Sequence, residues 1–215
     1  MSFQNIALKA QTVFRRAGLK IIEKKASDLL KHDHNGKLTN QTGLNDSDMH
    51  LSNSMLSFRY CSDQVNIHRS FEINSFETDL NLLLVPGCRF LIVLDKNKKV
   101  VAFAAIMNLS DSVIEYNKMQ KLKRNKVVLP AQSIYVELIC AKPKTGSATF
   151  LLLTLLGKLT IKNSILSNPC TLASKSLFYD RHQYTQLLKG WNAIAILTKE
   201  HAKQNLDVYM EMLSR

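Results

Sequence analysis

The feature that most constrains this chain is an apolar segment, a short polar loop and a second apolar segment between residues 134 and 156. Residues 134–141 are rich in aliphatic and aromatic side chains, which predicts a buried strand. Residues 150–156 are apolar on nearly every side and predict a buried helix that begins at residue 147 and ends near residue 162. A strand that leads directly into such a helix predicts an α/β fold in which the helix packs on a sheet.

The loop between these segments predicts an anion site. The first turn of a helix has unpaired N–H groups and a partial positive charge, and both point at the preceding loop. Gly146 allows close approach of the backbone to a ligand, and Lys142 and Lys144 add counter-charge. A phosphate group is the expected ligand. The chain contains neither G-x-x-x-x-G-K-[ST] nor G-x-G-x-x-G, which excludes the P-loop and the Rossmann fingerprint.

A β-hairpin is predicted upstream of this site. Residues 88–94 and 100–106 are apolar runs separated by the charged turn 95–99. Residues 71–85 predict a helix that ends at Pro86-Gly87, and residues 56–61 predict a short strand. The basic segment 117–126 is interpreted as a solvated loop.

The N-terminus predicts a basic amphipathic helix. The apolar side chains that share one helical face are Phe3, Ile6, Ala7, Ala10, Val13, Phe14, Ala17, Ile21 and Ile22. Lysines and arginines occupy much of the remaining surface. Such a helix can dock on its own domain, lie on an anionic membrane, bind a groove in a partner or act as a targeting presequence.

Residues 32–53 have the polar composition of a linker. We therefore expect residues 1–53 to form the basic helix and a polar linker, and residues 54–215 to form the main domain. His32, His34 and His50 could be interpreted as metal ligands, but a flexible polar stretch rarely holds three ligands in fixed geometry, so no metal site is predicted.

Composition limits the classes of partner. Of the 215 residues, 29 are Lys or Arg and 17 are Asp or Glu, which gives a net charge of +12. An anionic partner is therefore expected, which could be nucleic acid, a membrane surface, a phosphorylated cofactor or an acidic protein. The hydrophobic content of 46% excludes wholesale disorder, and the four widely spaced cysteines suggest neither a zinc knuckle nor a disulfide framework. No apolar run approaches the ~20 residues of a spanning helix.

With these elements in place, the chain resembles the GNAT superfamily of N-acetyltransferases. In that family a central strand ends in a loop of the form [Q/R]-x-x-G-x-[G/A], which wraps the pyrophosphate of acetyl-CoA and opens an apolar helix. Gly146-Ser147-Ala148 fits the end of this pattern, whereas Pro143 stands where the family has Gln or Arg.

The resemblance covers roughly residues 55–215 and implies the family's fold. This fold is a mixed, mostly antiparallel central sheet of about six to seven strands flanked by helices. The hairpin resembles the family's second and third strands, residues 134–141 its fourth, and residues 170–173 its fifth. A helix over residues 176–188, which ends at Gly190-Trp191, and a last strand over residues 206–212 complete the match.

The resemblance also implies site residues. The backbone of Ile139, Cys140 and Ala141 would pair with the pantetheine arm of acetyl-CoA, and Ser174 lies where the family often has an Asn that touches this arm. The phosphates would be bound by the loop and the first helical turn, which comprise Lys142, Lys144, Thr145, Gly146, Ser147, Ala148 and Thr149.

Glu137 sits where several members of the family carry the general base. Burial in an apolar strand raises the pKa of a carboxyl group, which suits that role, but an outward-facing Glu on an alternating strand is an equal alternative. Tyr184 and Tyr179 are candidates for the acid that protonates the leaving thiolate, and either could be a core residue. His182 is expected on an exposed polar helix face, and Cys140 as a buried, inert thiol.

Three functions from different classes follow. The favoured one is an enzyme that transfers an acetyl group from acetyl-CoA to an amine of a small molecule, polyamine, peptide or protein. The second is an inactive GNAT-like module that acts as a structural or interaction protein and docks through residues 3–25, which the departures at Pro143 and Ser174 favour. The third is a basic nucleic-acid-associated protein, which charge alone supports.

Location and assembly are the least constrained. We expect a monomer or homodimer in the cytoplasm, or in the host cytoplasm if the protein is viral. An organelle is the alternative, because the N-terminus is poor in acidic residues.

Overall fold

The computed structural model describes residues 2–35, 38–56, 87–111, 120, 122–167, 182–188 and 194–214. The helices are α1 (Phe3–Arg16), α2 (Asp46–Leu56), α3 (Ser147–Lys158), α4 (Lys199–Gln204) and α5 (Leu206–Met212). The strands are β1 (Lys20–Lys25), β2 (Leu30–His32), β3 (Leu38–Asn40), β4 (Arg89–Leu94), β5 (Val100–Asn108), β6 (Ile134–Ala141), β7 (Ser164–Ser167), β8 (Thr185–Leu188) and β9 (Ile194–Thr198).

Seven strands form one mixed sheet in the order β1-β4-β5-β6-β7-β9-β8. Strands β6 and β7 run parallel, while every other neighbouring pair in this sheet is antiparallel. The parallel pair arises because α3 crosses from the end of β6 back to the start of β7. The predicted fold class, the hairpin and the strand over residues 134–141 are confirmed.

Each face of the sheet has its own core. On one face, α1, α3, α4 and α5 pack over residues such as Leu91, Ala104 and Val136. On the other face, α2 and the segment around Leu29 pack over residues such as Phe90. The sheet is thus covered on both sides, which explains why β4 and β5 are apolar along nearly their whole length.

Helix α1 docks on its own domain, which was one of its four predicted interpretations. It packs along α3, and Phe3, Ile6, Ala7 and Ala10 are buried in the contact. The prediction that the helix continues to Ile22 is wrong. The helix ends in a left-handed Gly18, with Leu19 N–H bonded to Phe14 O at 2.8 Å, and the following residues enter the sheet as β1.

The polar segment 32–53 is more ordered than a linker. It contains most of the β2–β3 hairpin and the greater part of α2, whose Leu51 and Met55 are buried in the core. Sparse apolar residues were enough for this helix because only one side of it meets the sheet. A domain boundary at residue 53 stays a prediction, although β1, on its N-terminal side, is an edge strand of the sheet.

Two C-terminal assignments are wrong. A strand over Ser164–Ser167 follows α3, whereas the strand predicted at 170–173 lies outside the described residues and stays a prediction. Part of the helix predicted for 176–188 is the strand Thr185–Leu188, and the strand predicted for 206–212 is helix α5. Short runs of β-branched and aromatic residues fit a helix or a strand equally well. Residues 206–212 form a helix because Tyr209 and Leu213 pack into the core on the face of the sheet that the helices cover.

Several predicted features lie outside the described residues. They are the helix over 71–85, residues 57–61 of the first predicted strand, residues 170–173, Tyr179, Ser174 and Gly190-Trp191. None of the helices in the described part of the chain has both the length and the apolar character needed to cross a membrane.

Candidate functional site

The loop after β6 is fixed to the neighbouring strand β5 at a single carbonyl. Lys142 N–H donates to Val101 O at 2.8 Å, and the buried Ser147 hydroxyl donates to the same oxygen at 3.3 Å. Thr145 Oγ1 donates to Lys142 O at 2.8 Å and lies 2.6 Å from Ser147 Oγ. These contacts hold the loop in a tight turn, so the geometry at the start of α3 is set before any ligand binds.

Gly146 forms the N-cap of α3 in a left-handed conformation, with φ of 73°. A Cβ at this position would lie 3.1 Å from Cε1 of Phe14, whose ring stacks on Phe150 with centroids 4.7 Å apart. A side chain at residue 146 would therefore meet both backbone strain and the Phe14 ring. The loop can lie close to its surroundings only because residue 146 is glycine.

The first turn of α3 presents donor groups. Phe150 N–H bonds Gly146 O at 3.0 Å and Ser147 N–H bonds Thr145 Oγ1 at 3.3 Å. The N–H groups of Ala148 and Thr149 have no acceptor among the described residues. Both residues are partly accessible, so these two donors are available to an anion at the helix N-terminus.

Cations surround this loop at the end of the sheet where β6 ends. The register places the start of β1, the β4–β5 turn and the end of β6 at the same end, since Lys20 pairs with Leu94 and Ala102 with Ala141. We call the following exposed residues the basic rim: Arg15, Arg16, Lys20, Lys96, Lys98, Lys99, Lys142 and Lys144. Among the described residues of these segments the only acid is Asp95, which accepts two N–H groups of its own turn.

Strand β6 pairs with β7 over only part of its length. The described ladder between them runs from the pair Ile134–Ile165 to the pair Val136–Ser167, whereas β6 continues to Ala141. Ile139, Cys140 and Ala141 pair with Ala104, Phe103 and Ala102 of β5. The predicted cofactor-contacting stretch therefore lies beyond the last β6–β7 pair that the described residues make.

Glu137 lies at a β-bulge in β6. Ala105 pairs with Leu138 and the next residue, Ile106, pairs with Val136, so Glu137 is the extra residue. Val136 and Ile139, three residues apart, both lie on the α3 face, so the bulge shifts the alternation of the strand between them. Glu137 is half-buried, and its charge reaches the face that carries Cys88. Burial, with the nearby negative charge of Glu137 as a second cause, raises the pKa of the Cys88 thiol to about 12.

Tyr184 is not brought to the loop or to Glu137. It is buried in the core on the face covered by α3, immediately before β8 and not on a helix. Thr185 pairs with Ile196 of β9, Ile196 pairs with Leu166 of β7, and Leu166 pairs with Tyr135 of β6. Thr185 therefore lies level with Tyr135, near the start of β6. The loop begins at the end of β6, six residues after Tyr135, which is a distance of about 20 Å at the rise per residue of a strand. The other two candidates, Tyr179 and Ser174, lie outside the described residues.

Two other expectations are wrong. His182, expected in solvent, is 2% exposed, and its carbonyl accepts a hydrogen bond from Tyr209 at 3.2 Å. Burial raises the pKa of that tyrosine well above its usual range. Cys140, expected as a free thiol, is disulfide-bonded. In the described part of the chain no group of three His, Cys, Asp or Glu side chains could hold a metal ion.

Sequence reasoning did not identify three participants in the site. Val101 anchors the loop, Phe14 lies against Gly146, and Cys88 lies near Glu137. The sequence predicts that Phe14 lies on an apolar helix face, but its partner Gly146 is far away in the sequence. No local signal reports such a contact, whereas the basic turn 95–99 is recognisable once the hairpin places it beside the loop.

Comparison with known proteins gives structural similarity at low sequence identity. FeeM, an N-acyl amino acid synthase from uncultured soil microbes, is similar at 11% identity and a TM-score of 0.47, over 86% of this chain and 94% of that chain. The spermidine/spermine N-acetyltransferase SpeG from Vibrio cholerae is similar at 10% identity and a TM-score of 0.43, over 88% and 99%. The toxin AtaT, bound to the C-terminus of the antitoxin AtaR and acetyl-CoA, is similar at 10% identity and 0.43, over 88% and 98%. No protein-family model and no curated protein sequence matches the chain.

Proposed function

We propose that this protein is an acyltransferase that moves an acetyl group from acetyl-CoA to an amine acceptor. The observation that carries the proposal is the start of α3, where two N–H donors without a described acceptor meet a left-handed glycine. The basic rim surrounds this point, and a pyrophosphate is the group that such a cradle fits. Any Cβ at residue 146 would push into Phe14 and disturb the cradle.

The stretch of β6 after Val136 supports the same function. A pantetheine arm that leaves the cradle would run along the last residues of β6, Ile139 to Ala141, because they lead directly into the loop. Glu137 lies four residues before the end of β6, about 13 Å along the strand. A carboxylate at this distance from the cradle can lie next to the thioester end of the pantetheine arm.

Acetyl-CoA supplies a thioester whose carbonyl carbon is attacked by an amine, so that a C–N bond forms, the C–S bond breaks and coenzyme A leaves as its thiol. Glu137 accepts the proton that the amine must lose before it attacks. The charge of this carboxylate acts on Cys88, which lies in the core on the face opposite α3. Tyr179 remains the predicted proton donor for the leaving thiolate. Positioning supplies most of the remaining rate enhancement.

The acceptor is an amine, and a polyamine is one suitable probe, since SpeG acts on spermidine and spermine. A cationic amine would be attracted to Glu137, which is the only acid of β6. We propose the cytoplasm as the place where acetyl-CoA and the protein meet.

The test is a thermal-shift titration of the full chain with acetyl-CoA. A ligand that binds only the native state at ~100 times its dissociation constant stabilises it by about 2.7 kcal/mol, which raises the melting temperature measurably. In the double variant Lys142→Glu/Lys144→Glu the affinity should fall by about tenfold or more, because two cations near the phosphates become anions. Both side chains are exposed, so the unliganded melting temperature should not change.

The matched control is Lys31→Glu on the separate β2–β3 hairpin, a half-buried lysine whose ammonium group donates to Thr42 Oγ1 at 3.5 Å. This variant should bind acetyl-CoA as the wild type does. No thermal shift at millimolar acetyl-CoA would overturn the enzyme proposal and favour the inactive GNAT-like module. An equal loss of binding in the control would show that net charge, and not the cradle, is responsible.

A further inference from the structure

Two aliphatic side chains are strongly exposed at the opposite end of the sheet from the cradle. Val128 is 89% exposed and Ile161 is 71% exposed, more than any other large hydrophobic residue that the structure describes. Val128 lies in the segment that leads into β6, and Ile161 lies in the turn between α3 and β7. Both segments are at the end of the sheet where β6 and β7 begin.

The two segments adjoin and are held together. Asn163 N–H donates to Gln132 O at 3.3 Å, and its side-chain amide donates to Ala131 O at 2.8 Å. Val127 and Leu129 both pack against the core, so the chain between them is pinned and Val128 is directed outward. The exposure of Val128 is therefore a fixed property of a well-anchored segment.

Cations flank these side chains. Lys123, Arg124 and Lys126 are exposed in the residues just before Val128 and make no ion pair with a described residue. The basic segment interpreted as a solvated loop is thus anchored on its inner side, where Leu122 is 1% exposed. Lys162 and Lys199 lie beside Ile161, and their ammonium groups bond Asn108 Oδ1 at 2.9 Å and Thr160 O at 3.1 Å. Near them, Glu200 is the one exposed acid among the described residues of these segments.

We propose that Val128, Ile161 and these five cations form a docking surface for an anionic lipid bilayer, and we call it the apolar-basic patch. Aliphatic side chains gain free energy when they leave water for the interfacial region of a bilayer, and the surrounding cations are attracted by acidic headgroups. Nucleic acid would neutralise the cations, but it would give Val128 and Ile161 no apolar contact. A second copy of the chain would bury the aliphatic side chains, but a two-fold interface would place the same cations against each other, where they repel.

The position of the patch fits this occupant. The basic rim and the cradle lie where β6 ends, whereas the patch lies where β6 begins. A protein that rests on a bilayer through the patch keeps the cradle open to solution. The two basic surfaces are therefore separate, and the inference does not depend on the proposed acetyltransferase activity.

The test is co-sedimentation of the full chain with vesicles. Vesicles of phosphatidylcholine that contain phosphatidylserine should bind the protein, pure phosphatidylcholine vesicles should bind it weakly, and high salt should release it. The double variant Val128→Glu/Ile161→Glu should bind the anionic vesicles at least about tenfold more weakly, because it loses both aliphatic contacts and adds repulsion. The double variant Arg124→Glu/Lys126→Glu should weaken binding to a similar extent.

Met49→Glu is the matched control, because Met49 is an exposed apolar residue on α2, on the other side of the sheet from α3. This variant should bind vesicles nearly as the wild type does. The proposal is overturned if the wild type does not bind anionic vesicles or if the patch variants bind them unchanged. It is also overturned if the wild type is a dimer that Val128→Glu converts to a monomer, since the patch would then be an interface between copies.

Discussion

Asp48 shows how one side chain ties a peripheral helix to the sheet. Its Oδ1 lies 2.7 Å from Lys24 Nζ on β1, and its Oδ2 accepts from Asn45 at 3.1 Å. The hydrogen bond from Lys24 lowers the pKa of the Asp48 carboxyl, although burial opposes this shift. An ion pair that is partly exposed contributes little in general, but this one connects α2 with the edge strand β1.

The substitution Asp48→Asn should lower the free energy of unfolding by about 0.5–1 kcal/mol at neutral pH. A lowered pKa in the folded state gives stability that is fully present above the unfolded pKa of about 3.9 and is lost as the pH falls through the folded pKa. The difference between wild type and variant should therefore begin to shrink below pH ~4 and vanish once the pH is below the folded pKa, as urea unfolding at several pH values would report. Asp46→Asn, which changes another acid in the first turn of α2, is the control and should cost less. A difference that persists in acid would contradict this account.

At the scale of single residues, the sequence predicted the strand end, the glycine turn and the helix start better than the positions of the candidate catalytic groups. The strand, the glycine and the helix start lie within a short stretch, so local rules were sufficient for Gly146 and its neighbours. Glu137 could be named, but its bulge could not be foreseen, because a bulge depends on pairing with β5. Tyr184 was misplaced, since the position of an aromatic residue relative to the site depends on the register of β7, β8 and β9.

At the scale of elements, the contact between α1 and α3 depends on small residues. An added Cβ at Gly157 would lie 2.8 Å from the Cβ of Ala7, closer than side-chain atoms can approach. The two helices therefore pack at a distance that only glycine at residue 157 allows. This contact also holds Phe14 against Phe150 and Gly146, so the cradle depends on it.

The substitution Gly157→Ala should destabilise the protein by about 1–3 kcal/mol, even though alanine favours a helix by about 1 kcal/mol. The added methyl group forces the two helices apart, and thermal unfolding would measure the cost. In an Ala7→Gly background, where the obstructing methyl group is absent, the same substitution should be nearly neutral or stabilising. Equal costs in the two backgrounds would contradict the direct contact.

The ends of elements explain most of the differences between prediction and structure. Gly18, which follows two arginines, is a recognisable helix stop, and it would have divided the predicted helix over residues 3–22. The segment from Lys20 to Lys25 has too few apolar residues to be identified as a strand without β4 beside it. Residues 206–212 form a helix because Tyr209 and Met210 pack on the same core.

At the scale of the whole molecule, the N-terminal segment is part of the sheet and of one core. Strand β1 forms the edge next to β4, and α1 covers α3. A chain that begins at residue 54 would lack both elements. It would expose the side of α3 that α1 covers, which includes Phe150 and Gly157.

We therefore expect a variant that begins at residue 54 to lose cooperative unfolding and to be cleaved rapidly by protease, because the loss of these elements exposes core surface. Circular dichroism melting curves and limited proteolysis, beside the full chain, would measure both. A sharp thermal transition in the shortened chain would instead establish the predicted domain boundary at residue 53.

The pairing of the first helix with a much later one also bears on the synthesis of the chain. Helix α1 leaves the ribosome before α3, which begins about 130 residues later in the chain. At ~5–20 residues per second, the apolar side of α1 stays without its final partner for on the order of ten seconds. During that interval the nascent α1 segment is a basic amphipathic peptide in its own right, and chaperones that bind such peptides will meet it before the protein has folded.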